Sequence, residues 1–443
     1  MAEKNSTPLV GIGFGPAGIA LSVALTDDAR CVFGANATLA GQAVFLERAP
    51  SSAWQPGMVL PGTDIQHHFL RDFATPRYPD SEYTFVRYLH DVGRFYPFTL
   101  RSGYVSRQEW SDYCQWVASR SESDVRYKHE VVAVEPVTNN GSLDALEVVA
   151  RDADGGEARF LTPAVVLGTG HVPYVPPAFA AHVGNRVFHS TQFGWRWPAI
   201  ADTTNRVLVV GAGQNAGEIL LHLFGSTTAQ VHSIVRNSGF RMYDLGHFAN
   251  QAYWPAETDY FHALDPLARQ QIHAEQRRTN YAAVDPDVST GLYEAWYAGE
   301  VSGDRRLYMH NRTEIVDAHR VGDTIRVTAR ERWTGEDRSL TVDAVILCTG
   351  FSEASLPAVL GPLDGLLDVA EDGVLATRRD FRVPLAVPGT ARLYLNGMSE
   401  SRHGIASATS FSLLATRAGE IAASLRAPAL NEDHLKESAH ANL

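Results

Sequence analysis

The sequence predicts an α/β protein made of two Rossmann-like dinucleotide-binding domains and a small helical domain. Two glycine-rich stretches predict the large domains, because residues 10–25 and 206–218 each run from an apolar strand through a tight loop into a helix. Residues 241–300, which lie within the second predicted dinucleotide-binding domain, have a helical pattern and many Asn, His, Tyr and Trp residues. With 443 residues, the chain is long enough for several hydrophobic cores.

Composition and charge argue against several classes of function. The net charge of −12 disfavours nucleic acid or an acidic membrane surface as a partner. The three cysteines, Cys31, Cys114 and Cys348, are far apart and form no CxxC pair, so we expect no disulfide framework, metal site or dithiol redox pair. This pattern favours a reducing, cytoplasmic setting. The apolar run 9–25 is broken by glycines and lacks a basic start, so we expect neither a signal peptide nor a membrane span.

The first glycine-rich loop follows the apolar strand near residue 10. It contains Gly13, Gly15, Pro16 and Gly18. Gly13 permits a tight turn, Gly15 lets backbone N–H groups approach a pyrophosphate, and Gly18 lets the helix pack close to the strand. The next strand, 43–47, ends on Glu47, where the ribose hydroxyls of a dinucleotide need an acceptor. The sequence therefore predicts a dinucleotide site here.

The second loop repeats this pattern and adds a basic residue. Gly211 and Gly213 stand at fingerprint positions, and Gln214 and Asn215 open the helix that follows. The next strand, 231–235, ends on Arg236, which can pair with a ribose 2′-phosphate and so favours NADPH over NADH; the alternative is an ordinary solvent-facing arginine. Two dinucleotide loops without a dithiol point to FAD together with NADPH, and to O2 as the electron acceptor.

Seven runs of sequence are more specific than the glycines. They are GIGFGPAGIAL, WQPGMVLPGTDIQHHFLRDFATPRYPDSEYTFVRYL, VVGAGQNAGEI, FRMYDLGHFANQAYWP, TNYAAVDPD, CTGF and RHGIASATSFSLLATRAGEI. In these runs, which extend from about residue 10 to residue 421, the chain resembles the flavin-dependent N-hydroxylating monooxygenases that act on L-ornithine and L-lysine in siderophore assembly.

The resemblance implies a three-part enzyme, often assembled as a homotetramer. We expect an FAD-binding domain split between residues 1–170 and 340–427, an NADPH-binding domain at 171–339 with substrate-binding helices near 241–300, and a polar tail at 428–443. The implied reaction is N-hydroxylation of a primary amine by O2 through a C4a-hydroperoxyflavin, which gives a hydroxylamine. Because a free alkyl ammonium has a pKa near ~10, the site must favour the neutral amine by desolvation and hydrogen bonding.

The resemblance also assigns roles to five residues near the flavin. Asn250 and Asn280 fall where the family places asparagines that contact NADP+ and the substrate, and Gln66 falls where it places a glutamine near the flavin. We expect these three amides to be the catalytic groups, because an amide accepts a hydrogen bond from an amine without holding it charged. Trp54 and Met58 lie in the loop expected to cover the isoalloxazine ring, with simple packing as the alternative.

Two departures from the family pattern concern the substrate pocket. The family lysine that pairs with the carboxylate of the substrate is replaced by Arg71, which keeps the charge but changes its reach and geometry. The segment before the pocket serine is one residue longer, so Ser410 and Ser412 compete for that role. We expect a substrate of the ornithine or lysine type, or a related small amine.

A third departure is Arg402, which stands where relatives usually have threonine. Its neighbour His403 is expected to be a structural residue on the flavin side. An inward-facing Arg402 would need an anion, either a protein acid such as Glu400 or a second carboxylate on the substrate. In the second case the substrate would be an amino diacid such as aspartate, oxidised at its α-amine.

Two other functions stay open from the sequence. A flavin monooxygenase of the Baeyer–Villiger or FMO kind, acting on carbon or sulfur, would share both glycine loops but would leave the runs FLRD, HFANQ and TNYA unexplained. A non-catalytic flavoprotein that senses NADPH would show no response to amines.

Overall fold

The computed structural model describes residues 4–32, 39–101, 103–352, 356–370, 372–407 and 410–427. The expected polar tail, 428–443, lies outside the described residues. Strands and helices alternate along the chain and its two largest sheets are mainly parallel, which confirms the predicted α/β class. Within the described part of the chain, no helix is both long and apolar enough to cross a membrane.

The first domain is built on a six-stranded sheet. In spatial order its strands are Arg382–Val383, Arg392–Leu395, Ala164–Leu167, Val10–Ile12, Val44–Glu47 and Asp124–Tyr127. Neighbours pair in parallel, except that Arg382–Val383 runs antiparallel to Arg392–Leu395. The sheet therefore combines strands from the two ends of the chain, and its central strand Val10–Ile12 leads into the first glycine loop.

Helices cover one face of this sheet, and a four-stranded sheet covers the other. The helices of the first domain are Pro16–Val32, Leu39–Gln42, Phe85–Asp91, Phe95–Thr99, Arg107–Ala118, Glu400–His403 and Leu414–Arg426. The strands of the four-stranded sheet are, in spatial order, Lys4–Ser6, Glu157–Thr162, Ser142–Arg151 and Glu130–Asn139. Because side chains alternate along a strand, Phe45 and Val166 pack against helices while Leu46 and Val165 pack against this second sheet.

The second domain is built on a five-stranded parallel sheet. Its strands are, in spatial order, Val187–His189, Ala344–Leu347, Arg206–Val210, Gln230–Ile234 and Leu307–His310. The expected domain boundary at residue 340 must therefore move, because Ala344–Leu347 pairs with Arg206–Val210 rather than with the first sheet. An apolar run predicts a buried strand but does not identify the sheet that the strand joins.

Smaller elements complete the second domain and its edges. A three-stranded antiparallel sheet contains Thr313–Val321, Thr324–Glu331 and Asp337–Val342. The helices are Pro177–Ala180, Phe193–Ile200 and Gln214–Ser226. Two further strand pairs are Asp64–His68 with Tyr104–Ser106 and Val172–Pro173 with Phe351–Ser352. Short 3₁₀ helices span Pro56–Met58, Ser190–Gln192, Ala201–Thr203, Ala249–Tyr253, Arg277–Thr279 and Ala358–Leu363.

Helices fill the insert between the last two strands of the second sheet. The α-helices are Pro255–Ala263, Pro266–Gln276 and Pro286–Ser302. Each opens on proline, whose fixed φ suits the first helical position. Asp265 caps the second helix by accepting the Ala268 N–H at 2.9 Å. The insert also carries Asn250, within a 3₁₀ helix, and Asn280, directly after another.

Candidate active site

The first glycine loop has the shape that a pyrophosphate needs. Gly13 has a φ of 92°, and a Cβ at this position would lie 2.6 Å from the carbonyl oxygen of Gly168. A Cβ at Gly18 would collide with the carbonyl oxygen of Gly13, so both positions require glycine. At Gly15 no atom lies within 4 Å of the Cβ position, which leaves the backbone open to a ligand. Pro16 is the first residue of the helix that follows.

Glu47 is tied to this loop by two hydrogen bonds. Its Oε2 accepts the backbone N–H of Phe14 at 2.7 Å, and its Oε1 accepts that of Ala49 at 2.8 Å. Each carboxylate oxygen has further acceptor capacity, so the side chain is oriented by the loop and can still accept from ribose hydroxyls.

The second loop has the same construction. Gly211 has a φ of 136°, and a Cβ there would collide with the carbonyl oxygen of Cys348, whereas no atom lies within 4 Å of the Cβ position of Gly213. The buried Gln214 accepts the Asp285 N–H at 2.8 Å and donates to Glu218 at 3.1 Å, so its amide serves the protein fold. Asn215 is half-buried beside it in the same helix.

Arg236 follows the strand Gln230–Ile234 and is exposed. Among the described residues, its guanidinium has neither a hydrogen-bond partner nor an acid partner. Arg332 donates to its carbonyl oxygen at 3.1 Å, which fixes the backbone. Arg236 is therefore free to meet an anionic ligand at the end of this strand.

Gln66 lies where the first and second domains meet. Its Nε2 donates to Oδ2 of Asp285, the residue that precedes the helix Pro286–Ser302, at 2.9 Å. Nearby, Arg107 of the first domain forms a buried ion pair with Glu218 of the second, at 2.8 Å. Burial raises the pKa of Glu218 to about 7, although the charge of Arg107 opposes this shift.

The loop that contains Trp54 and Met58 is packed against protein. Met58 is buried, and its carbonyl oxygen accepts from Arg107 at 3.3 Å. The ring of Trp54 lies edge-on to Phe411, with 5.3 Å between the ring centroids. Its backbone N–H donates to Ser111 at 3.0 Å. These contacts are consistent with the packing alternative as well as with a flavin-covering loop.

The structure brings together two of the expected substrate residues. Nη1 of Arg71 donates to Oγ of Ser412 at 2.8 Å, and Oγ of Ser410 accepts the backbone N–H of Ser412 at 3.1 Å. The Arg71 guanidinium is half-buried and has no carboxylate partner within the described residues. Burial lowers its pKa, with the Tyr253 phenol as the counteracting group. Ser412, rather than Ser410, therefore stands beside the cation.

The two asparagines of the insert have little to hold them in the protein. Nδ2 of Asn250 donates to the carbonyl oxygen of Gly246 at 3.1 Å. The Asn280 side chain has no hydrogen bond to any described residue, although its backbone N–H donates to Arg277 at 3.3 Å. The amide oxygen of Asn250 and the whole amide of Asn280 are thus available to a ligand.

Arg402 pairs with a different acid from the expected one. It is 5% exposed, and its Nη2 donates to Oδ1 of Asp372 at 2.5 Å. Glu400, the expected partner, accepts instead from His273 Nε2 at 2.6 Å and from Tyr281 Oη at 2.5 Å. Glu400 is only two residues away in sequence, but its carboxylate is already occupied.

His403 is held in place by contacts within the protein. Its Nδ1 lies 2.9 Å from Ser399 Oγ, and its Nε2 lies 3.0 Å from the carbonyl oxygen of Arg378. Its ring stacks on Phe381, with 4.1 Å between the centroids. Burial lowers the pKa of His403 to about 3, so the imidazole is neutral at physiological pH.

Sequence reasoning missed several residues of this region. Tyr281 and Asp285 lie in the run TNYAAVDPD, but their partners are distant in sequence. Tyr253 and Glu218 also lie in quoted runs, FRMYDLGHFANQAYWP and VVGAGQNAGEI, but no role was assigned to them, and Arg107 lies outside the seven runs. In the part of the chain that the structure describes, no group of three or more His, Cys, Asp or Glu side chains is placed to hold a metal ion.

Comparison with known proteins identifies the family. The model of the L-lysine 6-monooxygenase/L-ornithine 5-monooxygenase family matches residues 5–353. The chain belongs to this family. It is 33% identical over 423 residues to the L-ornithine N(5)-monooxygenase of Pseudomonas aeruginosa, a match that covers 94% of this chain and 93% of that protein. Membership confirms the family and the enzyme class that the sequence runs predicted.

Solved structures of other members of the L-lysine 6-monooxygenase/L-ornithine 5-monooxygenase family have the same fold. The ornithine N-hydroxylase of Kutzneria sp. 744, in complex with reduced FAD, NADP+ and L-ornithine, is 32% identical with a TM-score of 0.88, over 95% of this chain and 99% of that one. The L-lysine 6-monooxygenase of Pseudomonas syringae is 38% identical with a TM-score of 0.84, over the same shares of the two chains. The relatives thus include enzymes named for ornithine and for lysine.

Proposed function

We propose that this family member uses FAD, NADPH and O2 to hydroxylate the side-chain nitrogen of an amino acid of the ornithine or lysine type, giving a hydroxylamine. One observation carries the substrate class: the half-buried Arg71 guanidinium, held by Ser412, has no carboxylate partner among the described residues. A partly buried charge without a partner is costly. A carboxylate on the substrate would complete its coordination in the bidentate geometry that a guanidinium favours.

The two glycine loops fit the proposed cofactors. At the first loop, the open backbone at Gly15 and the oriented carboxylate of Glu47 suit the pyrophosphate and ribose of FAD. At the second loop, the open backbone at Gly213 suits the pyrophosphate of NADPH, and the guanidinium of Arg236, which has no partner among the described residues, suits its 2′-phosphate. When bound, the flavin supplies the means to accept hydride from NADPH and to activate O2.

The chain's own amides suit the task of presenting a neutral amine. Asn280, and the amide oxygen of Asn250, offer hydrogen-bond acceptors without negative charge. The buried carboxylate of Glu400 is occupied by two donors, His273 and Tyr281, and so does not stand free to hold an ammonium group. An amine without a carboxylate beside it loses its proton more readily in a desolvated site.

The amino-diacid alternative loses its main support. It rested on an inward Arg402 without an acid partner, and Asp372 supplies that partner at 2.5 Å. The second anion that Arg402 needs is thus a protein acid, which favours a substrate with one carboxylate.

We also propose that the protein assembles as a homo-oligomer, a tetramer by resemblance. The helix Pro286–Ser302 exposes Tyr293, Tyr297 and Val301, which are 61%, 51% and 72% exposed. Their four-residue spacing places them on one face of the helix. A second copy of the chain is the proposed cover for this apolar stripe, and sedimentation velocity with Tyr297→Asp against wild type tests it.

A coupled assay with a panel of amines tests the proposed reaction. NADPH oxidation and hydroxylamine formation are measured with ornithine, lysine, aspartate, and the decarboxylated diamines putrescine and cadaverine. The proposal expects close to one hydroxylamine per NADPH with ornithine or lysine and weak coupling with aspartate. Amine-independent NADPH oxidation with no hydroxylamine from any of the five compounds would contradict it.

A further inference from the structure

The turn at residues 279–281 is held on both sides of Asn280. On one side, the Tyr253 hydroxyl donates to the carbonyl oxygen of Thr279 at 3.0 Å. On the other side, the Tyr281 hydroxyl donates to Oε2 of Glu400 at 2.5 Å. The side-chain amide of Asn280 has no hydrogen-bond partner among the described residues. The two neighbours of Asn280 are therefore fixed while its own side chain is left for a ligand.

Glu400 connects three parts of the fold. It lies in the short helix Glu400–His403 of the first domain and is 7% exposed. Its Oε1 accepts from His273, which lies in the insert helix Pro266–Gln276, at 2.6 Å. Its Oε2 accepts from Tyr281, which follows Asn280 in the chain. A charged acceptor with two donors gives hydrogen bonds about twice as strong as neutral ones.

The two hydrogen-bond donors to Glu400 have different structural roles. The contact with His273 attaches an insert helix to the first domain, whereas the contact with Tyr281 fixes the turn that presents Asn280. Tyr253, which holds the other side of that turn, packs with Leu413, the residue that follows the Arg71 partner Ser412, so the turn lies near the proposed carboxylate site. A displaced turn would move Asn280 relative to a substrate anchored at Arg71.

We propose that Glu400 is a positioning residue for the N-hydroxylation reaction, acting through the Tyr281 hydroxyl to hold the Asn280 amide against the substrate amine. This inference rests on the proposed function. In this role Glu400 touches neither the substrate nor the cofactors. A positioning role for Glu400 differs from a general packing role because the contact with Tyr281, and not the contact with His273, controls the alignment of Asn280.

Two matched variants separate positioning from packing. Tyr281→Phe and His273→Ala each remove one donor from the same carboxylate, but only the first releases the Asn280 turn. We expect Tyr281→Phe to lower the yield of hydroxylamine per NADPH and to raise the KM for the amine, each by about three- to tenfold, as for the loss of one aligned hydrogen bond. His273→Ala is expected to change both by less than about twofold.

A readout independent of turnover accompanies this comparison. The rise in Tm caused by saturating ornithine or lysine, measured with NADP+ present, is expected to shrink in Tyr281→Phe and to persist in His273→Ala. Glu400→Gln, whose amide oxygen can still accept from Tyr281, is expected to retain more coupling than Glu400→Ala.

The outcomes distinguish this inference from the proposed function. Equal losses of coupling in Tyr281→Phe and His273→Ala, or wild-type coupling in Tyr281→Phe, would overturn the positioning role while a coupled wild-type enzyme leaves the proposed function in place. If the wild-type protein couples no amine, the proposed function fails and the inference falls with it.

Discussion

Replacing Arg71 with methionine removes the cation that donates to Ser412 while keeping a long, flexible side chain. In the structure the Arg71 guanidinium is half-buried, donates to Ser412 at 2.8 Å and has no carboxylate partner among the described residues. A charge-assisted hydrogen-bond pair between this group and a substrate carboxylate contributes about 1.5 to 3 kcal/mol. We therefore expect kcat/KM for ornithine or lysine to fall about tenfold to a hundredfold, mainly through KM.

Decarboxylated substrates provide the internal comparison. Putrescine and cadaverine lack the carboxylate, so Arg71→Met should change their kcat/KM by less than about threefold. Arg71→Lys restores one charge but not the planar fork, and its effect on ornithine or lysine should be intermediate. Arg87→Met is the matched control, because Arg87 is an exposed arginine whose acid partner among the described residues is Asp91, at 3.2 Å.

If Arg71→Met lowers kcat/KM for the amino acids and for the decarboxylated diamines by the same factor, the guanidinium supports the pocket as a whole and does not recognise a carboxylate. Flavin content and Tm, measured on each variant, separate such an effect from loss of the fold.

Three substitutions and one kinetic measurement test other parts of the structure. Arg236→Ala should raise the KM for NADPH about tenfold and leave that for NADH nearly unchanged; equal effects would remove the 2′-phosphate assignment. Arg402→Thr should leave ornithine or lysine turnover within about threefold, since Asp372 already matches this charge, and a selective loss of aspartate turnover would instead revive the diacid substrate. Burial raises the folded-state pKa of Glu218 to about 7, so the stability contributed by its protonated carboxyl is lost as pH rises through 7. Glu218→Gln does not titrate, so its free energy of unfolding relative to that of wild type should rise by on the order of 2 kcal/mol between about pH 5 and pH 8 in urea titrations. A difference between the two proteins that does not change with pH would contradict the assignment. In stopped-flow mixing of reduced enzyme with O2, the absorbance expected for a C4a-hydroperoxyflavin should persist longer with NADP+ bound, because the coenzyme excludes water; immediate reoxidation without this species would count against N-hydroxylation.

Much of the fold followed from local patterns in the sequence. The strand, glycine and helix order predicted both dinucleotide loops, and the collisions that a Cβ would cause at Gly13, Gly18 and Gly211 give the physical reason. The sheet assignment of Ala344–Leu347 was not predictable in the same way. A fully buried apolar strand has no periodic signal, so nothing local distinguishes one parallel sheet from the other.

The sequence predicted which residues belong to the candidate site better than it predicted their hydrogen-bond and ion-pair partners. Arg71 was singled out from its place in a motif, but its contact with Ser412, rather than Ser410, depends on chain geometry across 341 residues of sequence. Arg402 was matched with Glu400 because the two are neighbours in sequence. The real partner, Asp372, is 30 residues away. Ion-pair partners are set by tertiary packing, which the sequence spacing of charges does not encode.

The most direct test of the proposed reaction is oxygen-isotope labelling of the product. Wild-type enzyme with FAD, NADPH and ¹⁸O₂ is incubated with the amine that couples best in the panel, and the product is analysed by mass spectrometry alongside NADPH consumption. We expect a hydroxylamine that carries one ¹⁸O atom on the side-chain nitrogen, formed in about equal amount to the NADPH consumed. Oxygen on carbon, label from water, or hydrogen peroxide as the sole oxygen product would contradict it.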